Sequence, residues 1–301
     1  MYEAAADEHG RQPRYGRPMT DNAPVAVLED SAYAHGWSAE TDHLRATAYA
    51  DGVVLVTLAN PERRNAMSDR MTAGWTRLTA ALRADRDVRA VVVTGEGRAF
   101  CSGGDTGWIG SEPDASVADL RDRMLDFYRA WLSVRDLEVP TIAAMNGPAV
   151  GAGAALALAC DLRYASASAR FSVPFARLGM HPGMATTWHL PEVVGMAAAR
   201  ELLVTGRTIE ADEMLRLGLV SSVSGDDGFV DGVLRLAHSV AGAAPVALRL
   251  TKAALAGGAH ADYATAIHWE ALAQPVTLAT ADLQEGLAAA REKRPPRFTG
   301  R

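Results

Sequence analysis

Residues 146–153 read Asn-Gly-Pro-Ala-Val-Gly-Ala-Gly and come directly after Thr141–Asn146, a short run typical of a buried strand. Small residues let backbone N–H groups approach a ligand closely, because no side chain stands in the way. The small-residue run Ala154–Cys160 follows and is predicted to be a helix. A helix begins with N–H groups that lack partners and with the positive end of its dipole. The stretch therefore predicts a strand, a tight turn and a helix N-terminus that attracts negative charge.

A second glycine-rich stretch occurs earlier in the chain. Residues 99–105 read Ala-Phe-Cys-Ser-Gly-Gly-Asp and follow the predicted strand Val88–Thr94. Two converging backbone amides would stabilise negative charge on a carbonyl oxygen. Each stretch alone is equally well explained as a tight turn without a ligand, and neither is followed by the Gly-Lys-Ser/Thr of a phosphate-binding loop. The pair favours an anion-stabilising site without deciding for it.

Strand and helix signals alternate in the first half of the chain. Leu44–Ala50 and Val53–Leu58 are predicted strands joined at Asp51-Gly52, a strong hairpin turn. Helices are predicted over Ser68–Arg83, with Ser68 as N-cap, and over Val117–Leu132. From about residue 184 the pattern is mainly helical, over 197–204, 210–217, 229–241, 246–256, 262–274 and 280–291. This order predicts an α/β core with helices packed outside the sheet.

The domain organisation follows from composition. Residues 1–42 are read as an N-terminal extension, of which at least 1–24 is predicted to be disordered because aliphatic residues are almost absent there. Residues 43–240 are the predicted α/β core, and 241–301 a C-terminal helical region. Translation could begin at Met1 or at Met19.

Charge and cysteine content exclude several classes of protein. The 301 residues carry a formal charge of −6, which argues against a general nucleic-acid binder. Cys101 and Cys160 are not in a paired-ligand spacing, so no metal site is predicted. No run of 18 apolar residues and no secretory signal is present, so we expect no membrane partner and a cytoplasmic location.

Several motifs, taken in the order in which they occur along the chain, resemble those of the crotonase (enoyl-CoA hydratase/isomerase) superfamily over roughly residues 43–301. They are Asn60–Met67, Ala99–Asp105, Asn146–Asp161, Leu178–Gly183, Gly206–Val220 and the end Glu285-Gly286 with Arg294–Phe298. The resemblance implies a spiral of strand–strand–helix turns with a C-terminal helical region that builds homotrimers, often paired into hexamers. It implies an acyl-CoA thioester as small-molecule partner, and no cofactor beyond the coenzyme A of the substrate.

The resemblance also assigns site residues. The backbone amides of Gly104 and Ala152 correspond to the family's oxyanion hole. Arg63, Arg64 and Lys252 correspond to cations near the coenzyme phosphates, and Phe298 to a tail residue that lines the coenzyme channel. The remaining predicted substrate-binding residues are Ala66, Phe100, Ser102, Gly103, Asp105, Trp108, Gly151, Phe175 and Gly183.

The chain departs from the family where proton transfer is expected. Family hydratases use two glutamates, and these positions hold Ala155 and Phe175, which cannot transfer a proton. His181 lies in a loop that relatives place beside the acyl group, and histidine titrates near neutral pH, so it is the candidate acid or base. A structural histidine bonded to a carbonyl explains it equally well.

Three functions remain open at this point. The first is an acyl-CoA enzyme with a rebuilt acid–base set, whose reaction is hydration, isomerisation, decarboxylation, C–C cleavage or hydrolysis. The second is a β-diketone hydrolase that does not use coenzyme A, against which Arg63, Arg64 and Lys252 argue. The third is a catalytically silent acyl-CoA-binding homologue.

Overall fold

The computed structural model describes residues 43–256 and 262–301, so the predicted extension 1–42 lies outside the described residues. Within these ranges the strands are β1 (Leu44–Ala48), β2 (Val53–Leu58), β3 (Ala90–Gly95), β4 (Thr141–Met145), β5 (Ala149–Val150), β6 (Leu162–Ser166), β7 (Arg170–Ser172), β8 (Thr208–Glu210) and β9 (Val223–Ser224). The helices are α1 (Asp69–Ala84), α2 (Thr106–Ile109), α3 (Val117–Leu132), α4 (Ala152–Ala159), α5 (Thr186–Thr205), α6 (Ala211–Arg216), α7 (Phe229–Ala241), α8 (Pro245–Ala256), α9 (Tyr263–Leu278) and α10 (Ala281–Glu292).

The main sheet has the order β1-β2-β3-β4-β6-β9. Strands β1 and β2 form the predicted antiparallel hairpin, and Gly52 adopts φ 86°, a conformation that glycine reaches without strain. The other neighbours are parallel, so the chain returns through helices between strands. Parallel strands all end at one edge of the sheet, and the glycine-rich stretches after β3 and β4 therefore meet there.

A smaller sheet of order β5-β7-β8 lies beside the site and was not predicted. Its strands have two or three residues, and strands this short leave no periodic signal in the sequence. Strand β5 pairs with β7, and both flank the turn that leads into α4. Every residue of α4 is buried. The helix consists only of Ala, Gly and Leu, which carry no polar side-chain group, so it can pass through the core.

Helix α1 begins as predicted, because the Ser68 hydroxyl accepts a hydrogen bond from the Met71 amide at 3.3 Å. Its buried face carries Trp75, which stacks on Trp131 of α3 with ring centroids 4.9 Å apart. Trp131 also donates through its indole N–H to Thr72 at 3.0 Å. These contacts fix α3 against α1.

The C-terminal part is helical, and its tail is held against α10. The buried Asp282 carboxylate accepts hydrogen bonds from the amides of Thr299 at 2.7 Å and Gly300 at 2.8 Å. Helix α9 is unusual, because none of its residues is buried. Among the described residues, no single helix is long and apolar enough to cross a bilayer; α7 and α8 reach that length and composition only as a pair bent by 106°.

Candidate active site

The two predicted glycine-rich stretches lie side by side. The Cys101 amide donates to the Pro148 carbonyl at 3.1 Å, and the Val150 amide donates to the Cys101 carbonyl at 2.9 Å. This pair of bonds is an isolated parallel bridge between Cys101 and Ala149. The loop after β3 and the turn after β4 therefore form one continuous wall, with Gly104 at the end of the first stretch and Ala152 at the end of the second.

The Gly104 N–H points away from Met67, the residue with which Gly104 forms an isolated bridge. Met67 donates to the Gly103 carbonyl at 2.8 Å and accepts from the Asp105 amide at 3.2 Å. In a trans peptide the C=O and N–H point in opposite directions, so the Gly104 N–H faces the side away from Met67. Within residues 43–256 and 262–301 this N–H has no hydrogen-bond acceptor.

The Ala152 amide opens α4 close to this loop. It is the first helical residue, and it too has no acceptor in the part of the chain described. A Cβ at Gly103 would lie only 3.4 Å from the Ala152 nitrogen, so the two segments are in contact. Gly151 precedes it with φ 55° and ψ −115°, a backbone geometry that glycine adopts without Cβ strain.

Gly153 sets how closely α4 approaches the loop. A Cβ there would lie 2.7 Å from the Cβ of Cys101 and still closer to the Cys101 carbonyl oxygen. Only glycine permits this approach without a backbone shift. The spacing between the two glycine-rich segments thus depends on glycine at position 153. The sequence alone indicates only a turn there.

Two asparagines that sequence reasoning missed hold the loop in place. Asn65 is fully buried and donates to the carbonyls of Glu96 at 3.0 Å and Ala99 at 2.8 Å. Asn146 donates to the carbonyls of Gly95 at 2.8 Å and Gly97 at 3.0 Å. A single asparagine in a motif does not reveal such bonds, because its partners lie more than thirty residues away in the sequence.

The positions of the two family glutamates are apolar. Ala155 is completely buried inside α4, and Phe175 is 7% exposed. The end of the Phe175 ring faces Gly151, since a Cβ on that glycine would be 3.9 Å from the ring Cζ. An aromatic ring therefore lies beside the start of α4, where the family has a carboxylate.

The charged residues beside the loop are engaged with each other. Arg63 forms a salt bridge with Asp105 at 3.2 Å, and Asp105 also accepts from the Gly107 amide at 2.8 Å at the start of α2. Arg64 has φ 52°, and its carbonyl accepts from the Ser102 amide at 2.9 Å. Arg63 and Arg64 thus lie beside residues 102–105, as a role near the coenzyme requires; that role stays a prediction.

The other candidate groups differ in accessibility. His181 is exposed, and its Nδ1 donates to the Pro182 carbonyl at 2.8 Å. Burial raises the pKa of the Cys101 thiol to about 12, so this cysteine is a protonated core residue. Trp108 belongs to α2, but its side chain lies outside the described structure.

Lys252 and Phe298 lie near the residues that precede β4 and β3, at the opposite end of these strands from the glycine-rich loops. The Lys252 ammonium contacts Asp161 at 2.7 Å and the Val139 carbonyl at 2.8 Å, next to the start of β4. The carbonyl of Phe298 accepts from Arg89 at 3.5 Å, next to the start of β3, and its ring packs on Gly286. Within one chain the structure does not bring these two residues to the glycine-rich loops, which follow the ends of the same strands.

Comparison with known proteins identifies the family. The family model described as enoyl-CoA hydratase/isomerase matches residues 48–301. The chain is 38% identical over 246 residues to a putative enoyl-CoA hydratase of Thermus thermophilus, covering 82% of this chain and 97% of that protein. It is 32% identical over 292 residues to mouse mitochondrial methylglutaconyl-CoA hydratase, covering 92% of this chain and 91% of that protein.

Solved structures share the fold. A putative enoyl-CoA hydratase from Streptomyces coelicolor A3(2) superposes with a TM-score of 0.81 at 37% identity, covering 95% of this chain and 100% of that one. An enoyl-CoA hydratase from Bacillus anthracis superposes with a TM-score of 0.80 at 31% identity, covering 86% of this chain and 100% of that one. The fold is therefore that of the crotonases, as the sequence motifs indicated. The chain belongs to the enoyl-CoA hydratase/isomerase family, whose members act on acyl-CoA thioesters.

Proposed function

We propose that this protein processes an acyl-CoA thioester and holds the thioester oxygen with the backbone amides of Gly104 and Ala152. The observation that carries the proposal is that both amides lack an acceptor among the described residues and belong to chain segments in contact. A carbonyl oxygen that gains negative charge would receive two N–H donors, one of them at a helix N-terminus. The remainder of the fold holds these donors rigidly, which is the requirement for preorganised charge stabilisation.

The surroundings of the two amides suit coenzyme A. The chain is acidic overall, yet Arg63 and Arg64 both lie beside the loop that carries Gly104. Local cations are what the phosphates of coenzyme A require. Arg63 would exchange its exposed bond to Asp105 for a phosphate at little cost, because surface ion pairs contribute only about 0–1 kcal/mol.

The reaction differs from two-glutamate hydration in this proposal. Water addition needs a carboxylate to take a proton from water and another acid to protonate the α-carbon. Ala155 and Phe175 occupy those positions. An oxyanion hole still serves any reaction that passes through a thioester enolate or a tetrahedral adduct, so the chain is proposed to be an enzyme with different proton-transfer groups.

The proposed function is tested with a substrate panel. We expect the protein to bind acyl-CoA thioesters and to turn over at least one among crotonyl-, malonyl-, methylmalonyl- and acetoacetyl-CoA, with products followed by mass spectrometry. Crotonyl-CoA should be hydrated far more slowly than by a two-glutamate hydratase assayed beside it. A CoA-free β-diketone is the control. Cleavage of the diketone without any binding of a thioester would refute the proposal.

We further propose a homotrimer, or a hexamer of two trimers, assembled through α9. A helix with no buried residue exposes a large apolar area unless a partner covers it. The apolar side chains concerned are Tyr263 at 82% exposed, Leu272 at 75%, Leu278 at 53%, Val276 at 52% and Ile267 at 45%.

Sedimentation measures the assembly directly. We expect the mass of three or six chains, and we expect Leu272→Glu to shift it towards one chain, because a charge cannot be buried in an apolar contact without a partner. Val117→Glu is the matched control, since Val117 is also exposed but lies at the start of α3. A wild-type protein that sediments as a single chain would rule this assembly out.

A further inference from the structure

Tyr128 places a hydroxyl group against Gly183. Tyr128 lies on α3, and a Cβ at Gly183 would be 2.9 Å from the ring Cζ and 3.1 Å from Cε1, with the hydroxyl oxygen closer still. Any side chain at position 183 would displace the phenol, so the glycine makes room for it. The contact spans more than fifty residues of sequence, and no sequence motif predicts it.

The loop that carries Gly183 connects the phenol to the two amides. It begins at Phe175, whose ring faces Gly151 at the start of α4. Its chain is folded back by a bond from the Met180 amide to the Phe175 carbonyl at 3.0 Å. One end of the loop thus lies at the proposed oxyanion site and the other at Tyr128. The loop 175–183 therefore links the start of α4, through Phe175, to the phenol of Tyr128, through Gly183.

The phenol is available as a proton donor. Burial raises the pKa of Tyr128, so the hydroxyl is protonated at neutral pH. It has no hydrogen-bond partner in residues 43–256 and 262–301. The nearby Gly183 carbonyl already accepts from the Thr186 amide at 3.1 Å and the Thr186 hydroxyl at 2.6 Å. A half-buried hydroxyl without a partner favours a ligand that accepts its hydrogen.

The apolar surface beside it favours one type of substrate. A carboxylate moved from water towards the buried Phe175 ring loses hydration, and the ring offers it no charge in return. Neutral carbon dioxide loses little hydration in the same transfer. Loss of carbon dioxide also generates an enolate without a base. A protonated phenol can deliver a proton to such an enolate but cannot create one by removing a proton.

We propose, building on the acyl-CoA function above, that Tyr128 protonates the α-carbon of a thioester enolate formed by decarboxylation of a malonyl-type (2-carboxyacyl) thioester. The bond between the α-carbon and the carboxylate breaks, its electron pair forms the enolate, and carbon dioxide leaves. The amides of Gly104 and Ala152 hold the enolate oxygen. The O–H bond of Tyr128 then breaks as the new C–H bond forms, and water returns a proton to the phenolate. One proton is consumed, and no oxidant or reductant is needed.

The experiment uses the full-length protein with methylmalonyl-CoA and malonyl-CoA in deuterated water. We expect carbon dioxide release and propionyl-CoA with one deuterium, of a single configuration at the α-carbon. Tyr128→Phe removes only the hydroxyl, and we expect kcat to fall by about 100-fold or more with little change in KM. The residual product of this variant should lose its single configuration, which a purely structural tyrosine would not cause.

Controls separate this proposal from the more general one. Tyr49→Phe should keep the wild-type rate, since Tyr49 is also a partly buried tyrosine but lies at the β1–β2 turn. Retention of full rate and single configuration by Tyr128→Phe, with loss of both in His181→Ala, would overturn the role of Tyr128. Hydration of crotonyl-CoA without decarboxylation of either malonyl-type thioester would overturn this proposal and leave the acyl-CoA function standing. Failure to bind any thioester would refute both.

Discussion

Replacing Ala152 by proline is expected to lower kcat by about 100- to 1,000-fold on the thioester that the protein turns over fastest. The substitution deletes one N–H group, which is the proposed donor to the thioester oxygen. Proline is well tolerated at the first position of a helix, because the N–H there has no partner within the helix. Ala152 occupies that position in α4. The loss should appear in kcat more than in KM, since the oxyanion exists only along the reaction path.

Ala152→Gly is the matched control for this prediction. It removes the methyl group of alanine but keeps the N–H, so it should retain most of the wild-type rate. Thermal unfolding of both variants shows whether α4 still forms, because the helix is completely buried and its loss would destabilise the whole core. If Ala152→Pro folds like the wild type and keeps its full rate, the amide at position 152 does not hold the substrate oxygen.

Local sequence signals were sufficient for the elements that frame the site. The β1–β2 hairpin depends on one turn, Asp51-Gly52, and the structure has it with Gly52 at a positive φ. Helix α3 has the predicted bounds because its apolar residues keep a helical spacing between a serine cap and a 3-10 turn. Helix α4 begins two residues earlier than predicted, so that Ala152 is its first residue. Such features are set by neighbours in the chain.

The remainder of the site depends on contacts between distant residues. Lys252 matched a family position near the coenzyme, and in this chain its ammonium contacts Asp161, which directly precedes β6. No local signal in the sequence indicates that partner. The short sheet β5-β7-β8 forms by pairing between segments that are distant in the sequence. The sequence places Tyr128 on a predicted helix but does not indicate which residue its hydroxyl contacts. Only the tertiary structure shows that its hydroxyl lies at Gly183.

The loss of Asn65 should strongly destabilise the protein. Besides the bonds that its side-chain nitrogen donates to the carbonyls of residues 96, 99 and 100, its side-chain oxygen accepts from the Asn60 amide at 2.9 Å, and the residue is fully buried. Asn65→Ala leaves at least two buried backbone groups without partners, and each costs about 1–3 kcal/mol. Alanine at φ 57° adds about 1 kcal/mol of backbone strain. We expect the free energy of unfolding to fall by about 3–5 kcal/mol, measured by urea denaturation.

Asn65→Gly separates the two contributions, because glycine accepts a positive φ and removes the same hydrogen bonds. It should recover about 1 kcal/mol of the loss. At a temperature where both variants are folded, kcat should fall as well, since Asn65 ties residues 96–100 in place ahead of Gly104. A variant that is markedly less stable but fully active would show that Gly104 keeps its position without this side chain. Unchanged stability in Asn65→Ala would contradict the buried hydrogen bonds themselves, and with them the rigid loop on which the proposed oxyanion site depends.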